Sequence, residues 1–254
     1  MPQTKIVFFD IDGTLIDMQA KKITPKMLET LHRLQDRGIK ICIATGRSPM
    51  VLPKIDGVAF DAYLTFNGSL CYDRKGVIFS NPIPHKDVVR FIQNAAALGR
   101  PICVSTRDRL AANGADTDLT DYFAIANEDV PIVDNFDAMC EEDIYQLMLG
   151  CRPKDYPALL DGAPGAKIAA WWDRAVDVIP ASGGEGSVLH SHGLDKAEAL
   201  AFGDGNNDRE MLLAVGTGVA MENGSPELKA LADEICGPVY EDGIYHYCTS
   251  KGLI

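Results

Sequence analysis

Two carboxylates, Asp10 and Asp12, close the stretch K-I-V-F-F-D-I-D-G-T-L at residues 5–15. Residues i and i+2 of an extended segment point the same way, so both can address one reacting group. Four apolar residues, 6–9, precede them without a polar break, as in a strand buried on both faces. Gly13 then lets the chain turn sharply. Asp and Gly also follow strands as plain turn formers. That accounts for one Asp and the Gly, less well for D-x-D-G-T after a fully apolar strand. Two more apolar runs end in compatible groups: 39–44 lead into Thr45-Gly46-Arg47, and 199–203 into Asp204-Gly205-Asn206-Asn207-Asp208. Carboxylates converging without His or Cys suit a hard, oxygen-seeking cation, Mg²⁺ first. An Asp can also attack phosphorus covalently, while the Thr45 hydroxyl and the Gly46 amide can donate to a phosphate oxygen.

These groups need a sheet to bring them together. Thr24-Pro25 opens a helix carrying Met27, Leu28, Leu31 and Leu34 at helical spacing, with Gly38 at its C-terminal stop. Strand, helix and strand within about forty residues make a right-handed βαβ unit. A third strand is expected over 63–66, then a hairpin turning at 73–76. From about Asn81 the rhythm changes. A helix over 86–98 is followed by short strands at 102–106, 109–112, 144–149, 167–171 and 175–179, with a helix near 156–160. Residues 180–186 (P-A-S-G-G-E-G) have the composition of a hinge. The α/β pattern then resumes, with strands at 199–203 and 218–221 and helices through Met211, Leu212 and Val215 and over 226–232. The expected fold is α/β: a doubly wound, mostly parallel core from residues 1–80 and 183–254, interrupted by an α+β cap at 81–182.

The balance of 24 basic and 36 acidic residues, net −12, disfavours nucleic acid and anionic membranes as partners. It also repels phosphate esters, so a phosphate site must bring its own positive field. Seven scattered Cys without a C-x-x-C read as reduced thiols. With no basic-then-apolar leader and no apolar run of membrane length, a soluble cytoplasmic protein is expected.

D-I-D-G-T-L, A-T-G-R and G-D-G-N-N-D-x-x-M-L together resemble the first, second and fourth motifs of the haloacid dehalogenase superfamily. The insert's placement, N-G at 67–68, V-A-M at 219–221 and D-G-I at 242–244 are similar to the Cof-like sugar-phosphate phosphatases. The resemblance implies that Asp10 attacks phosphorus and ligates Mg²⁺. It implies that Asp12 is general acid and then base, its backbone carbonyl on the metal. Asp204 and Asp208 would complete the metal site, and Thr45, Gly46 and Asn207 would contact the phosphate of a small phosphorylated metabolite. Arg47 reads as structural.

One departure stands out. The family places a Lys before the helix leading to its fourth motif, but no Lys lies between Lys167 and Lys196, and the span from Pro180 to Phe202 is about one helical turn short. A phosphosugar mutase, which shares the two-Asp start, stays open beside a phosphatase, and the missing Lys leaves a non-catalytic metabolite-binding protein open as well. Lys196 is expected to point away from Asp10. His190 and His192, lacking further ligands, read as solvated rather than metal-binding, as do Arg107 and Arg109, and Trp171-Trp172 reads as cap core plus one exposed ring.

Overall fold

The computed structural model describes residues 3–125, 127–170, 172–181 and 185–254, the Glu185 side chain excepted. In chain order, β1 (Ile6–Phe9), α1 (Pro25–Asp36), β2 (Lys40–Ala44), β3 (Ala62–Thr65), β4 (Leu70–Asp73) and β5 (Gly76–Ser80) come first. Next are α2 (His85–Ala97), β6 (Ile102–Ser105), β7 (Leu110–Ala112), α3 (Thr117–Ile125), α4 (Phe136–Met139), β8 (Gln146–Gly150), α5 (Tyr156–Leu160), β9 (Ala166–Ala169) and β10 (Ala175–Pro180). Last are α6 (Glu185–Ser191), β11 (Ala199–Gly203), α7 (Arg209–Ala214), β12 (Thr217–Met221), α8 (Pro226–Leu231), β13 (Glu234–Cys236) and α9 (Gly243–Ser250).

An eight-stranded sheet runs β13-β12-β11-β1-β2-β3-β4-β5. It is parallel from β13 to β3, and β4 and β5 add an antiparallel edge. The chain leaves β1 towards β2 and later returns on its other side through β11, so β1 is the switch point of a doubly wound sheet. Ligands in such sheets bind beyond the strand ends at that point. All four β1 residues are buried, as the unbroken apolar run requires. Phe9 and Phe202 stack at 5.5 Å between centroids, and Tyr247 of α9 meets Phe202 edge-on at 5.4 Å. These rings immobilise the two strand ends that carry the acidic residues.

Local signals in the sequence explain α1. The Thr24 hydroxyl accepts from Met27 N at 3.1 Å, Pro25 stands where no N–H is needed, and Gly38 stops the helix at φ +74° while Ile39 N reaches back to the Leu34 carbonyl. Met27, Leu31 and Leu34 are buried. At the hairpin, Asp73 Oδ1 accepts from the amides of Lys75 and Gly76.

The chain divides into two units, one built from residues 1–46, 53–80 and 184–254, the other from 47–52 and 81–183. Residues 47–52, assigned to the core from sequence, thus group with the insert. The second unit has its own antiparallel sheet, β7-β6-β8-β10-β9, with Phe91, Leu147, Leu149, Val176 and Val178 in its core. Arg109 pairs with both oxygens of Glu142, at 2.5 and 2.6 Å, in place of an open anion contact. Trp172 lies under the Arg174 guanidinium at 4.3 Å, while Trp171 falls outside the described residues, as does the centre of the expected hinge.

All seven Cys are buried, and no disulfide forms among the described residues. Among those residues no helix is long and apolar enough to cross a membrane.

Candidate active site

The site begins where β1 ends. Asp10 is 4% exposed, and its amide donates to the Phe202 carbonyl, extending the β1–β11 ladder by one residue. The chain then turns tightly: Leu15 N and Ile16 N both reach the Ile11 carbonyl, and Gly13 N donates to the Ile16 carbonyl. Gly13 adopts φ +88°, and a Cβ there would lie 2.3 Å from Asp204 Oδ2. Glycine is therefore needed twice, for the backbone angle and for the approach of a carboxylate. Next to it, the Thr14 hydroxyl donates to Asp204 Oδ1 at 3.1 Å.

The end of β11 supplies the other half. Asp208 is buried and accepts from the amides of Asp204 and Gly205, both at 2.9 Å through Oδ2. Asn207 Nδ2 donates to Asp208 Oδ1 at 3.2 Å. Carboxylate oxygens of Asp10, Asp204 and Asp208 all lie within 4.8 Å of one another. Among the described residues this is the one group of three or more His, Cys, Asp or Glu able to hold a metal. Asp12 is less buried and stands outside the cluster, although its charge acts on all three members.

Burial is the main cause of raised pKa values here, and mutual repulsion adds to it. Asp10 is pushed well above its usual range by burial and then by Asp208 and Asp204, against a backbone hydrogen bond from Ile11. Burial takes Asp204 to about 6, opposed by hydrogen bonds from Thr14 and Asp10, and takes Asp208 to about 7, opposed by the Gly205 amide. Without a cation such a cluster holds protons. Its donors are all hard oxygens, the set that a magnesium-sized cation takes, so residues and metal fit.

Thr45 is buried at the end of β2, held by its amide on the Leu64 carbonyl and by Asn67 N on its own carbonyl. Phe66 and Asn67 take φ +51° and +53°, so β3 stops one residue earlier than the apolar run. That turn brings Asn67 against Gly46, where a Cβ would meet Asn67 Oδ1 at 3.2 Å. Sequence reading did not foresee this approach of Asn67 to Gly46. Its signal was Asn-Gly after a strand, a pair that tolerates left-handed backbone. Arg47 donates to the Val51 carbonyl at 2.9 Å.

The Lys196 ammonium donates to the Leu213 carbonyl at 2.6 Å, in the last turn of α7. Lys196→Ala should therefore leave kcat within about twofold and cost about 0.5 kcal/mol, the worth of a cation at a helix C-terminus. A large loss of kcat with intact folding would mean that this lysine serves Asp10. Burial lowers the pKa of His192, whose Nε2 is buried without a hydrogen-bond partner, so this ring is not the solvated one expected from sequence, whereas His190 is exposed.

The haloacid dehalogenase-like hydrolase profile matches residues 7–248. The chain belongs to that family. This haloacid dehalogenase-like hydrolase is 33% identical to a putative phosphatase, YkrA, of Bacillus subtilis over 258 residues, 99% of each chain. It is 29% identical to the HMP-PP phosphatase of Escherichia coli K12 over 265 residues, 96% of this chain and 94% of that one. A solved subclass IIB sugar phosphatase superposes with a TM-score of 0.88 at 27% identity, over 99% of this chain and 100% of that one. The family hydrolase described here is a phosphoric monoester hydrolase.

Gly13→Ala tests the crowding at the first loop. The left-handed angle costs about 1–2 kcal/mol, and the methyl must push Asp204 aside. Since a misplacement of about 1 Å can cost 10²-fold, kcat should fall by about that factor. Wild-type kcat in the folded variant would show that the Gly13–Asp204 approach is not needed.

Proposed function

We propose that the chain is a Mg²⁺-dependent phosphatase acting in the cytoplasm on small phosphorylated metabolites, sugar phosphates first, through an aspartyl-phosphate on Asp10. The observation that carries this reading is the cluster of buried Asp10 and Asp208 with half-buried Asp204 at the sheet's switch point. The names of the Escherichia coli and sugar-phosphatase relatives support the substrate class. In this reading the unit of residues 1–46, 53–80 and 184–254 carries the chemistry, and the unit of 47–52 and 81–183 is a cap that selects substrate.

Asp10, Asp204, Asp208 and the Asp12 backbone carbonyl would hold the metal. Mg²⁺ supplies positive charge that offsets the carboxylates and the phosphate's own negative charge. The rest falls to the chain. A carboxylate oxygen of Asp10 attacks phosphorus in line, and the bond from phosphorus to the substrate's alcohol oxygen breaks. Asp12 gives that oxygen a proton, the free alcohol departs, and Asp12 is left ionised. It next takes a proton from water, whose oxygen attacks phosphorus and releases Asp10 and inorganic phosphate. Asp12 ends protonated, as it began. Thr45, Gly46 and Asn207 donate to the phosphate oxygens, where negative charge must be stabilised.

A panel of phosphorylated metabolites with Mg²⁺ tests the activity through phosphate release. Quenched turnover, digestion and peptide mass then test the nucleophile, with the phosphoryl group expected on the peptide containing Asp10. No release from any ester rejects the activity; a phosphoryl group found only elsewhere rejects Asp10.

A further inference from the structure

Residues 222–225, between β12 and α8, have no part in the chemistry above, yet they hold both loops that do. Asn223 Nδ2 donates to the Gly13 carbonyl at 2.9 Å, and its Oδ1 accepts from Val239 N at 2.9 Å. Ser225 N donates to the Asp204 carbonyl at 2.8 Å, and Ser225 Oγ donates to Asn206 Oδ1 at 2.9 Å. Gly224 is closed in between them: a Cβ would lie 2.8 Å from the Asp204 carbonyl oxygen and 2.9 Å from that of Met221.

The Gly13 carbonyl belongs to the peptide leading into Thr14, whose hydroxyl bonds Asp204 Oδ1. Gly13 itself imposes the least steric restraint of any residue type, so hydrogen bonds must supply the stiffness of this turn. Asn223 holds it from outside. Ser225 and Gly224 hold the backbone of the opposing loop from the same short segment. One segment thereby fixes the distance between the two acidic loops.

We propose that Asn223 is a positioning residue, setting the placement of the Asp10–Asp12 turn against Asp204 and Asp208 for metal binding and attack on phosphorus. The proposal rests on the phosphatase reading. It acts through the Gly13 carbonyl and touches neither metal nor substrate.

Two substitutions separate the halves of the Asn223 side chain. Asn223→Ala removes both hydrogen bonds. Val239→Pro removes only the one to the C-terminal segment, and proline suits this position: Val239 starts a 3-10 turn and Pro238 before it is extended. With p-nitrophenyl phosphate and Mg²⁺, Asn223→Ala should lose about 10- to 100-fold in kcat with KM within about threefold, and Mg²⁺ affinity by calorimetry should fall about tenfold. Val239→Pro should keep both within about threefold, since the Gly13 contact survives. Circular dichroism establishes that each variant is folded. If folded Asn223→Ala keeps kcat and Mg²⁺ affinity, or Val239→Pro loses as much, Asn223 merely ties down the C-terminal segment and the proposal fails. If Asn223→Ala does not fold, Gly224→Ala takes its place, its methyl pressing on the Asp204 carbonyl; unchanged kcat and affinity there overturn the brace. A wild-type protein that binds Mg²⁺ but cleaves no ester would reject the phosphatase reading instead, leaving the affinity comparison to decide the positioning role.

Discussion

Asp10→Asn is expected to lower phosphate release at least about 10⁴-fold and, in the same preparation, to raise the melting temperature of the metal-free protein at neutral pH. An amide of the same shape keeps the packing at the end of β1 but has no oxygen able to attack phosphorus. The gain in stability has a separate cause. Burial and the carboxylates of Asp208, Asp204 and Asp12 hold the Asp10 pKa well above its ordinary value. A carboxyl raised in this way favours the folded state below its unfolded pKa, and that contribution is lost as pH rises through the folded value. Asp204 and Asp208, raised to about 6 and about 7, behave alike, so the metal-free protein should weaken from about pH 4 to about pH 7. A neutral residue at position 10 removes one of these opposing charges. Its advantage should grow with pH across this window and shrink when Mg²⁺ is added. Thermal melts of both proteins, with and without metal, check this. Equal melting temperatures at every pH would refute the electrostatic account, and near-normal turnover free of contaminating phosphatase would refute the mechanism.

Chelation of divalent cations is expected to reduce turnover by at least about 10³-fold, with Mg²⁺ restoring it and Ca²⁺ restoring little. The chain carries net −12, and its three clustered carboxylates repel a phosphate dianion. A cation has to offset both. Because Asp204 and Asp208 must lose protons to bind it, Mg²⁺ affinity should climb between about pH 5.5 and pH 8 and level off above. Calorimetry in buffers of different ionisation enthalpy should show proton release on binding at the lower end of that range. An affinity flat across it would mean that these carboxylates are already ionised, and activity undiminished by chelators would remove the metal altogether.

What the sequence discloses most clearly is what local chemistry encodes. An apolar run ending in D-I-D-G-T marks β1 and its loop, and Thr24-Pro25 with Gly38 bounds α1, because caps and strand ends are properties of neighbouring residues. Asp208 follows closely on β11, so its place in the carboxylate cluster was legible for the same reason. Helices α3 and α9 were among those not expected. α9 begins with Gly243 and continues I-Y-H-Y-C-T-S, residues of middling helix propensity, behind an Asp242 that takes the left-handed angle. α3 (T-D-L-T-D-Y-F-A-I) lacks a strong apolar periodicity and is held by its place on the second sheet, where Leu119 and Phe123 are buried. The turn at Phe66-Asn67 broke the expected strand because its backbone angles are imposed by the Thr45 and Gly46 segment it contacts. The role of Asn223 was hidden for another reason: its donor bond joins residues 210 apart, a relation no local pattern contains.

The pairing of β1 with β11 has a bearing on how the protein comes into being. Ile6 pairs with Ala199 and Phe9 with Phe202, and the Thr14–Asp204 bond spans 190 residues. At about 5–20 residues per second, a ribosome takes roughly 10–40 s to bring the second partner out after the first. During that interval β1 can pair with β2 but has no neighbour on its other side. An apolar strand, buried on both faces in the finished protein, is then an open edge and a template for wrong partners. The nascent chain therefore waits with Asp10 apart from Asp204 and Asp208, and with an apolar edge strand displayed, until the residues of β11 have emerged. Slow folding and dependence on chaperones are the expected cost of parting the loop after β1 from the loop after β11 by an inserted unit.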